Sequence, residues 1–150
     1  MSEANAKPTI LVVDDDSSCR DIAGRLLQLE GYRIRAASCG EECLAIVERE
    51  PVDLILLDIM MPGMDGFAVC AALREMGRRI PVILLTAKDD TDTRLEGIHH
   101  GVSEFLTKPI NKRELFARVR AQLHILELAR QLESVEKNLS TIRQAPASRD

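Results

Sequence analysis

The sequence is poor in the features that mark several functions. It has no surplus of positive charge: 20 Lys and Arg stand against 24 Asp and Glu, a net charge of −4. No basic patch is therefore available to displace counterions from nucleic-acid phosphates, and no direct nucleic-acid contact is expected. There is no CxxC pair. Cys19, Cys39, Cys43 and Cys70 are scattered through expected helices and their starts, with no matching His spacing. They read as small core filler in a reducing compartment rather than as a metal site or disulfides. The first residues, MSEANAKP, contain no apolar run of signal length, and no stretch of the chain is long enough to span a bilayer. The expectation is a cytoplasmic protein without a membrane partner. Tight-hairpin signals between neighbouring strands are also missing, which points away from antiparallel sheets.

What is there centres on residues 54–66, LILLDIMMPGMDG. Leu54, Ile55, Leu56 and Leu57 read as a short strand buried on both faces, as in the middle of a parallel sheet. It runs directly into Asp58, after which Pro62, Gly63, Asp65 and Gly66 force a turn. Taken alone, Asp58 could simply cap or solvate the strand end. The rest of the chain changes that. Residues 9–13, TILVV, form a β-branched strand closed by Asp14, Asp15 and Asp16, with Ser17 and Ser18 as helix-start residues. A helix through Ile22, Leu26, Leu27 and Leu29 stops at Gly31. Residues 32–37 make a less apolar strand suited to a sheet edge, and Ser38 with Glu41 matches a capping box for a helix that ends before Pro51. Beyond the central strand come a helix over 67–76, an apolar strand over 80–85 closing on Thr86, and a polar helix over 91–100. A strand over 102–107 then leads to Lys108 and Pro109, and Asn111 with Glu114 caps the last helix.

Strand and helix alternate five times, and right-handed crossovers turn such a chain into a parallel sheet covered on both faces. The expected fold is α/β: a flavodoxin-like, doubly wound, five-stranded sheet of order 2-1-3-4-5 with an extended C-terminal helix. In that order the winding reverses between the first and third strands and opens a crevice there. Those two strands end in acids, so Asp14, Asp15 and Asp58 would meet at one rim, joined by Thr86 and Lys108 from the fourth and fifth strand ends. Three neighbouring carboxylates repel unless a cation neutralises them. An acid set without His or Cys suits Mg²⁺, which takes one or two carboxylates, waters and a phosphate. With the metal in place a carboxylate can attack phosphorus. Asp58, from the most central strand, is best placed to accept. Lys108 supplies a positive charge and Thr86 a hydroxyl donor to phosphoryl oxygens.

The segments VVDDD at 12–16, LLDIMMPGMDG at 56–66, LLTA at 84–87 and FLTKP at 105–109 together resemble the four motifs of the receiver domain of bacterial two-component response regulators. The resemblance covers roughly residues 8–125. It implies that Asp58 takes a phosphoryl group from the phosphohistidine of a sensor histidine kinase or histidine phosphotransfer protein. It further implies that Asp15 and Asp58 ligate Mg²⁺, that Asp14 helps through a bound water, and that Met60 gives its backbone carbonyl. Lys108 would grip the phosphoryl group, with the Lys108–Pro109 peptide cis, while Asp16 has no assigned task beyond a solvated turn acid. Thr86 and Phe105 would form the switch: the Thr86 hydroxyl moves to the phosphoryl group and the ring of Phe105 leaves an outward position to fill the space. The fourth helix, fifth strand and fifth helix would then present a changed surface. Many relatives carry Tyr where this chain has Phe105, so any hydrogen bond from that hydroxyl is lost. Such a chain is a phosphoacceptor signalling module, promoting its own phosphorylation and slow dephosphorylation, rather than an enzyme acting on a separate substrate.

Three other classes fit less well. Aspartate-nucleophile phosphatases resemble DxD patterns, and here the second acidic position is Met60. A flavin-binding protein of the same sheet order would want a Ser/Thr/Gly-rich phosphate loop where DDDSS stands. A degenerate receiver acting only as a dimerisation scaffold would not need Asp14, Asp15, Asp58, Thr86 and Lys108 together.

From Lys112 to about residue 144 there is no Pro or Gly, so a single helix of roughly 50 Å is possible at 1.5 Å per residue. Phe116, Val119, Leu123 and Leu126 form one apolar stripe, which ends at Arg130. Ala121, Ile125, Leu128, Leu132, Val135, Leu139 and Ile142 form a second, rotated from the first by about 200°. The first should dock on the sheet; the second reads as the seam of a parallel homodimeric coiled coil that passes receiver state to an output domain or protein. The rival is a tail that folds back or frays, since Gln131, Glu136, Asn138 and Arg143 offer little flanking charge pairing. The expected organisation is a disordered tail over 1–8, a receiver domain over 9–126, a coiled-coil extension over 127–144 and a flexible end over 145–150.

Overall fold

The structure, a computed structural model, describes residues 7–87 and 91–143. Five strands form one parallel sheet: β1 (Thr9–Val13), β2 (Arg33–Ala37), β3 (Leu54–Asp58), β4 (Val82–Thr86) and β5 (Glu104–Thr107). Their order is β2-β1-β3-β4-β5, as the alternation of elements requires. Between them run α1 (Ser17–Leu29), α2 (Gly40–Arg49), α3 (Gly66–Glu75) and α4 (Thr91–His99), with α5 (Lys112–Arg143) at the end.

Successive strand residues point to opposite faces, and both faces are covered. Ile10, Val12, Leu54, Leu56, Ile83 and Leu85 pack with Ala23 and Leu27 of α1 and Leu115 and Val119 of α5. Leu11, Val13, Ile55, Leu57 and Leu84 face the other way, onto Cys43 and Val47 of α2 and Phe67, Val69 and Leu73 of α3. Every residue of β3 and β4 is buried, which explains their unbroken apolar runs. β2, with Arg33 and Arg35 exposed, lies at an edge.

The element ends differ from the sequence expectations in instructive places. β4 begins at Val82 rather than 80, since Pro81 has no N–H for the ladder, although its carbonyl accepts from Ile55 (3.0 Å). β5 begins at Glu104 rather than 102 because the Val102 N–H instead donates to Gly97, closing α4 (3.0 Å). At α2 the N-cap is Cys39 without a side-chain bond. The helix starts one residue later than the capping-box spacing predicts, so Glu42, not Glu41, accepts from the N–H and hydroxyl of Ser38 (2.8 and 3.2 Å). At α5 the cap holds: the Glu114 N–H donates to Asn111 Oδ1 (3.0 Å).

The sheet-docking stripe of α5 is Leu115, Val119 and Gln122, all buried, flanked by the half-buried Phe116, Leu123 and Leu126. It is centred one residue earlier than expected, because the choice between adjacent apolar positions depends on how the helix is rotated against the sheet. The helix then continues unbroken to Arg143, contacting the body as far along as Arg130, whose Nη2 lies 3.1 Å from Asp53 Oδ1. The disordered tail expected over 1–8 falls outside the described residues up to position 6, whereas Pro8 is tied to β2, its carbonyl accepting from Arg33 (2.9 Å). The flexible end expected over 145–150 lies outside the described residues. No helix among the described residues is long and apolar enough to cross a membrane.

Candidate functional site

The crevice opens where β1 and β3 lie side by side and α1 and α3 leave on opposite faces. Asp14 follows β1 and is fully buried, Asp15 is exposed, and Asp58 closes β3 at 5% exposure. One carboxylate oxygen from each lies within 4.8 Å of the others. Asp14 is held firmly. Its N–H donates to the Ala37 carbonyl (3.2 Å), its Oδ1 accepts from the Asp16 N–H (3.0 Å), and its carbonyl accepts from Arg20 (2.7 Å).

Close packing positions Asp58 as well. The Ile59 N–H donates to Leu85 (3.1 Å) and the Gly66 N–H returns to the Ile59 carbonyl (2.8 Å). A Cβ at Gly66 would stand 2.8 Å from the Asp58 carbonyl oxygen, a contact only glycine avoids, so this glycine lets α3 start against the strand end. Asp65 N-caps α3 by accepting from Ala68 (2.9 Å). Met60 sits on the loop beyond β3 with its side chain exposed and a backbone hydrogen bond to Asp58.

Lys108 reaches both buried acids. Its Nζ is 3.1 Å from Asp14 Oδ2 and 3.4 Å from Asp58 Oδ1. The approach to Asp14 is off hydrogen-bond directions, so the fully buried Oδ2 has no hydrogen-bond partner among the described residues. Burial would lower the Lys108 ammonium, but its contact with Asp14 and the charges of Asp58 and Asp14 outweigh that and hold it above its ordinary value. Burial, and then the Asp14 charge, push the Asp58 carboxyl up to about 6, against the pull of Lys108 and the Met60 backbone. One ammonium thus leaves excess negative charge in the crevice. A buried oxygen that has an ammonium nearby but no hydrogen bond among the described residues, set among all-oxygen donors, fits a hard divalent cation such as Mg²⁺.

Thr86 ends β4 and is buried; its carbonyl accepts from the Lys108 N–H (2.8 Å). The Lys108–Pro109 peptide is cis. Phe105 is not in the outward position expected of it. Its ring is 9% exposed, lying under α4 where Gly97 has no Cβ; one built there would be 2.3 Å from Phe105 Cζ. The Arg94 guanidinium lies over the ring at 5.3 Å. Sequence reasoning also missed the task of Asp16, which N-caps α1 by accepting from Ser18 (2.9 Å) and Cys19 (3.4 Å). Its signal was the position directly before Ser17 and Ser18, where Asp is as good a cap as Ser.

Comparison with known proteins agrees with this geometry. The model of the response regulator receiver domain matches residues 10–120. Response regulator MprA of Mycobacterium leprae (strain TN) is 38% identical over 141 residues, covering 94% of this chain and 62% of that protein. Response regulator PleD of Caulobacter vibrioides (strain NA1000 / CB15N) is 42% identical over 146 residues, covering 94% and 32%. The chain thus spans less than two thirds of the length of these relatives. The crystal structure of the signal receiver domain of a putative Luxo repressor protein from Vibrio parahaemolyticus superposes with a TM-score of 0.81 at 29% identity, covering 85% of this chain and 98% of that one. With its acids, lysine and sheet order arranged in this way and its relatives of this kind, the chain belongs to the response regulator receiver domain family.

Proposed function

We propose that this chain is the phosphoacceptor of a two-component pathway, in which Asp58 takes a phosphoryl group from the phosphohistidine of a sensor histidine kinase or histidine phosphotransfer protein. The observation that carries the reading is Lys108 lying within 3.4 Å of acids delivered by two different strands. In the transfer an Asp58 carboxylate oxygen bonds to phosphorus as the phosphorus–nitrogen bond breaks, and the released imidazole nitrogen takes a proton from solvent. Lys108 exchanges part of its hold on the carboxylates for the phosphoryl oxygens, and the Thr86 hydroxyl donates to them. Asp15 and Asp58 would hold Mg²⁺ directly, with the Met60 backbone carbonyl, and Asp14 through water. Bound there, the ion neutralises the acids and screens the charge of the incoming group. With Phe105 already seated under α4, movement of the Thr86 hydroxyl to the phosphoryl group would hold the ring there and pass the change to α4, β5 and α5.

The projecting half of α5 supports an output by dimerisation. Ile125, Leu128, Leu132, Val135, Leu139 and Ile142 are 46–68% exposed along one face, an apolar stripe whose natural cover is the same stripe of a second, parallel chain. The receiver over 9–126 would drive a coiled-coil extension over 127–144, which acts on an output domain or protein. Incubation with acetyl phosphate and Mg²⁺, followed by intact mass, tests the chemistry. The wild type should gain one phosphoryl group and Asp58→Ala none; no gain on the wild type, or equal gain on the variant, refutes it. Light scattering over a dilution series tests the stalk, which a concentration-independent monomer would end.

A further inference from the structure

At the far end of the sheet from the acids lies a cavity of ≈ 450 Å³, within the size range of small-molecule sites. Val82, which opens β4, lines it, whereas Thr86, which closes β4, stands at the acid rim. Four residues of strand separate the two ends by roughly 13 Å. Its floor is apolar, built from Leu73, Ile80, Val82 and Leu126.

Among these apolar residues stands Gln122, on the buried face of α5 next after Val119. It is nine-tenths buried, and its amide has no hydrogen-bond partner among the described residues. The amide atoms still reach solvent through the cavity, since the buried side-chain polar atom without a partner among the described residues is Asp14 Oδ2. The rim is cationic: Arg74, Arg78 and Arg79 line the cavity beside His100, and no carboxylate does, in a chain of net charge −4. Arg74 is anchored by donating to the His99 carbonyl (3.3 Å), and the His100 ring is stacked on Phe67 at 5.4 Å. Arg78 and Arg79 make no ion pair among the described residues. The chain thus gathers positive charge, an apolar floor and one unpartnered amide at a single place.

We propose that this cavity binds a purine nucleotide. The guanidinium groups of Arg78 and Arg79 hold the phosphate, and the planar base lies on the apolar floor. The Gln122 amide, with donor and acceptor side by side, pairs with the adjacent donor and acceptor of a purine edge. Inorganic phosphate would use only the rim, and a nucleoside only the floor and the amide. Ile125 lines the cavity and also begins the exposed stripe of α5, so the occupant lies at the base of the projecting helix.

The test is a titration of the full chain in EDTA with AMP and GMP, followed by amide NMR, with adenosine, inorganic phosphate and a Glu-rich peptide as comparators. EDTA removes metal-bridged binding at Asp14, Asp15 and Asp58, so the outcome is independent of the phosphoacceptor reading. A purine nucleotide should saturate and shift the amides of Arg78, Val82 and Gln122. Adenosine, phosphate and the Arg78→Ala/Arg79→Ala variant should each bind about tenfold more weakly or worse. Gln122→Leu should weaken nucleotide binding and leave the binding of inorganic phosphate unchanged. The proposal is overturned by no saturable shift with either nucleotide, by phosphate or the peptide binding as well as the nucleotides, or by binding that survives the double variant. A Gln122→Leu chain that binds the nucleotides as tightly as the wild type overturns it too.

Discussion

Asp58 has a carboxyl that resists ionisation in the folded, metal-free protein. Its value rises from 3.8 to about 6, chiefly through burial and then through Asp14. Between about pH 4 and pH 6 the folded chain therefore holds a proton that the unfolded chain has released, and stability falls as pH rises through that window. In EDTA, Asp58→Asn should unfold at nearly the same temperature as the wild type below pH 4. Its advantage should grow with pH and level off above about 6. Mg²⁺ should raise the wild-type midpoint at pH 7 and leave Asp58→Asn far less affected. Thermal scans across pH read all of this, and a difference that shrinks as pH rises would contradict the assigned cause. At this scale Asp14, Asp15, Asp58, Thr86 and Lys108 were legible because each ends or follows a strand, and strand ends of an open parallel sheet converge. The cap made by Asp16, the burial of Phe105 and the lone Gln122 were not, since each depends on a neighbour from elsewhere in the chain.

At the scale of the element, α4 and α5 behave in opposite ways. α4 is a polar helix whose buried residue among those described is Gly97, where it lies on Phe105. Alanine at Gly97 would gain up to about 1 kcal/mol of helix propensity, but crowding an aromatic ring costs roughly 1–3 kcal/mol. The crowding should win, so Gly97→Ala is expected to lower stability in denaturant titrations despite being a better helix former. In α5 two substitutions of the same chemistry should separate. Leu115 is fully buried, and Leu115→Ala should cost about 2–5 kcal/mol. Leu132 is 60% exposed; Leu132→Ala should leave the unfolding of the dilute chain within about 0.5 kcal/mol of the wild type while weakening self-association by light scattering. Periodicity identified both stripes of this helix but misjudged the docking face by one residue. Leu115 and Phe116 are equally apolar, and only contact with the sheet selects between them.

For the whole molecule, removing residues 127–150 tests how far the receiver depends on its extension. Within the described residues the cut removes one exposed ion pair to the body, Arg130 to Asp53, worth about 1 kcal/mol or less. The shortened chain should stay folded, accept phosphate on Asp58 at the wild-type rate and remain monomeric at every concentration, as mass spectrometry and light scattering would show. Loss of folding would mean that the extension is part of the domain. The sequence alone determined the class of fold, the strand order and the convergence of the acids, because alternating buried strands and amphipathic helices admit few packings and handedness removes most of those. Only the tertiary structure decided the rotation of α5, the inward seat of Phe105 and the cavity at the far end of β4. Those outcomes depend on which side chains from distant segments touch, and a linear pattern carries no record of such contacts.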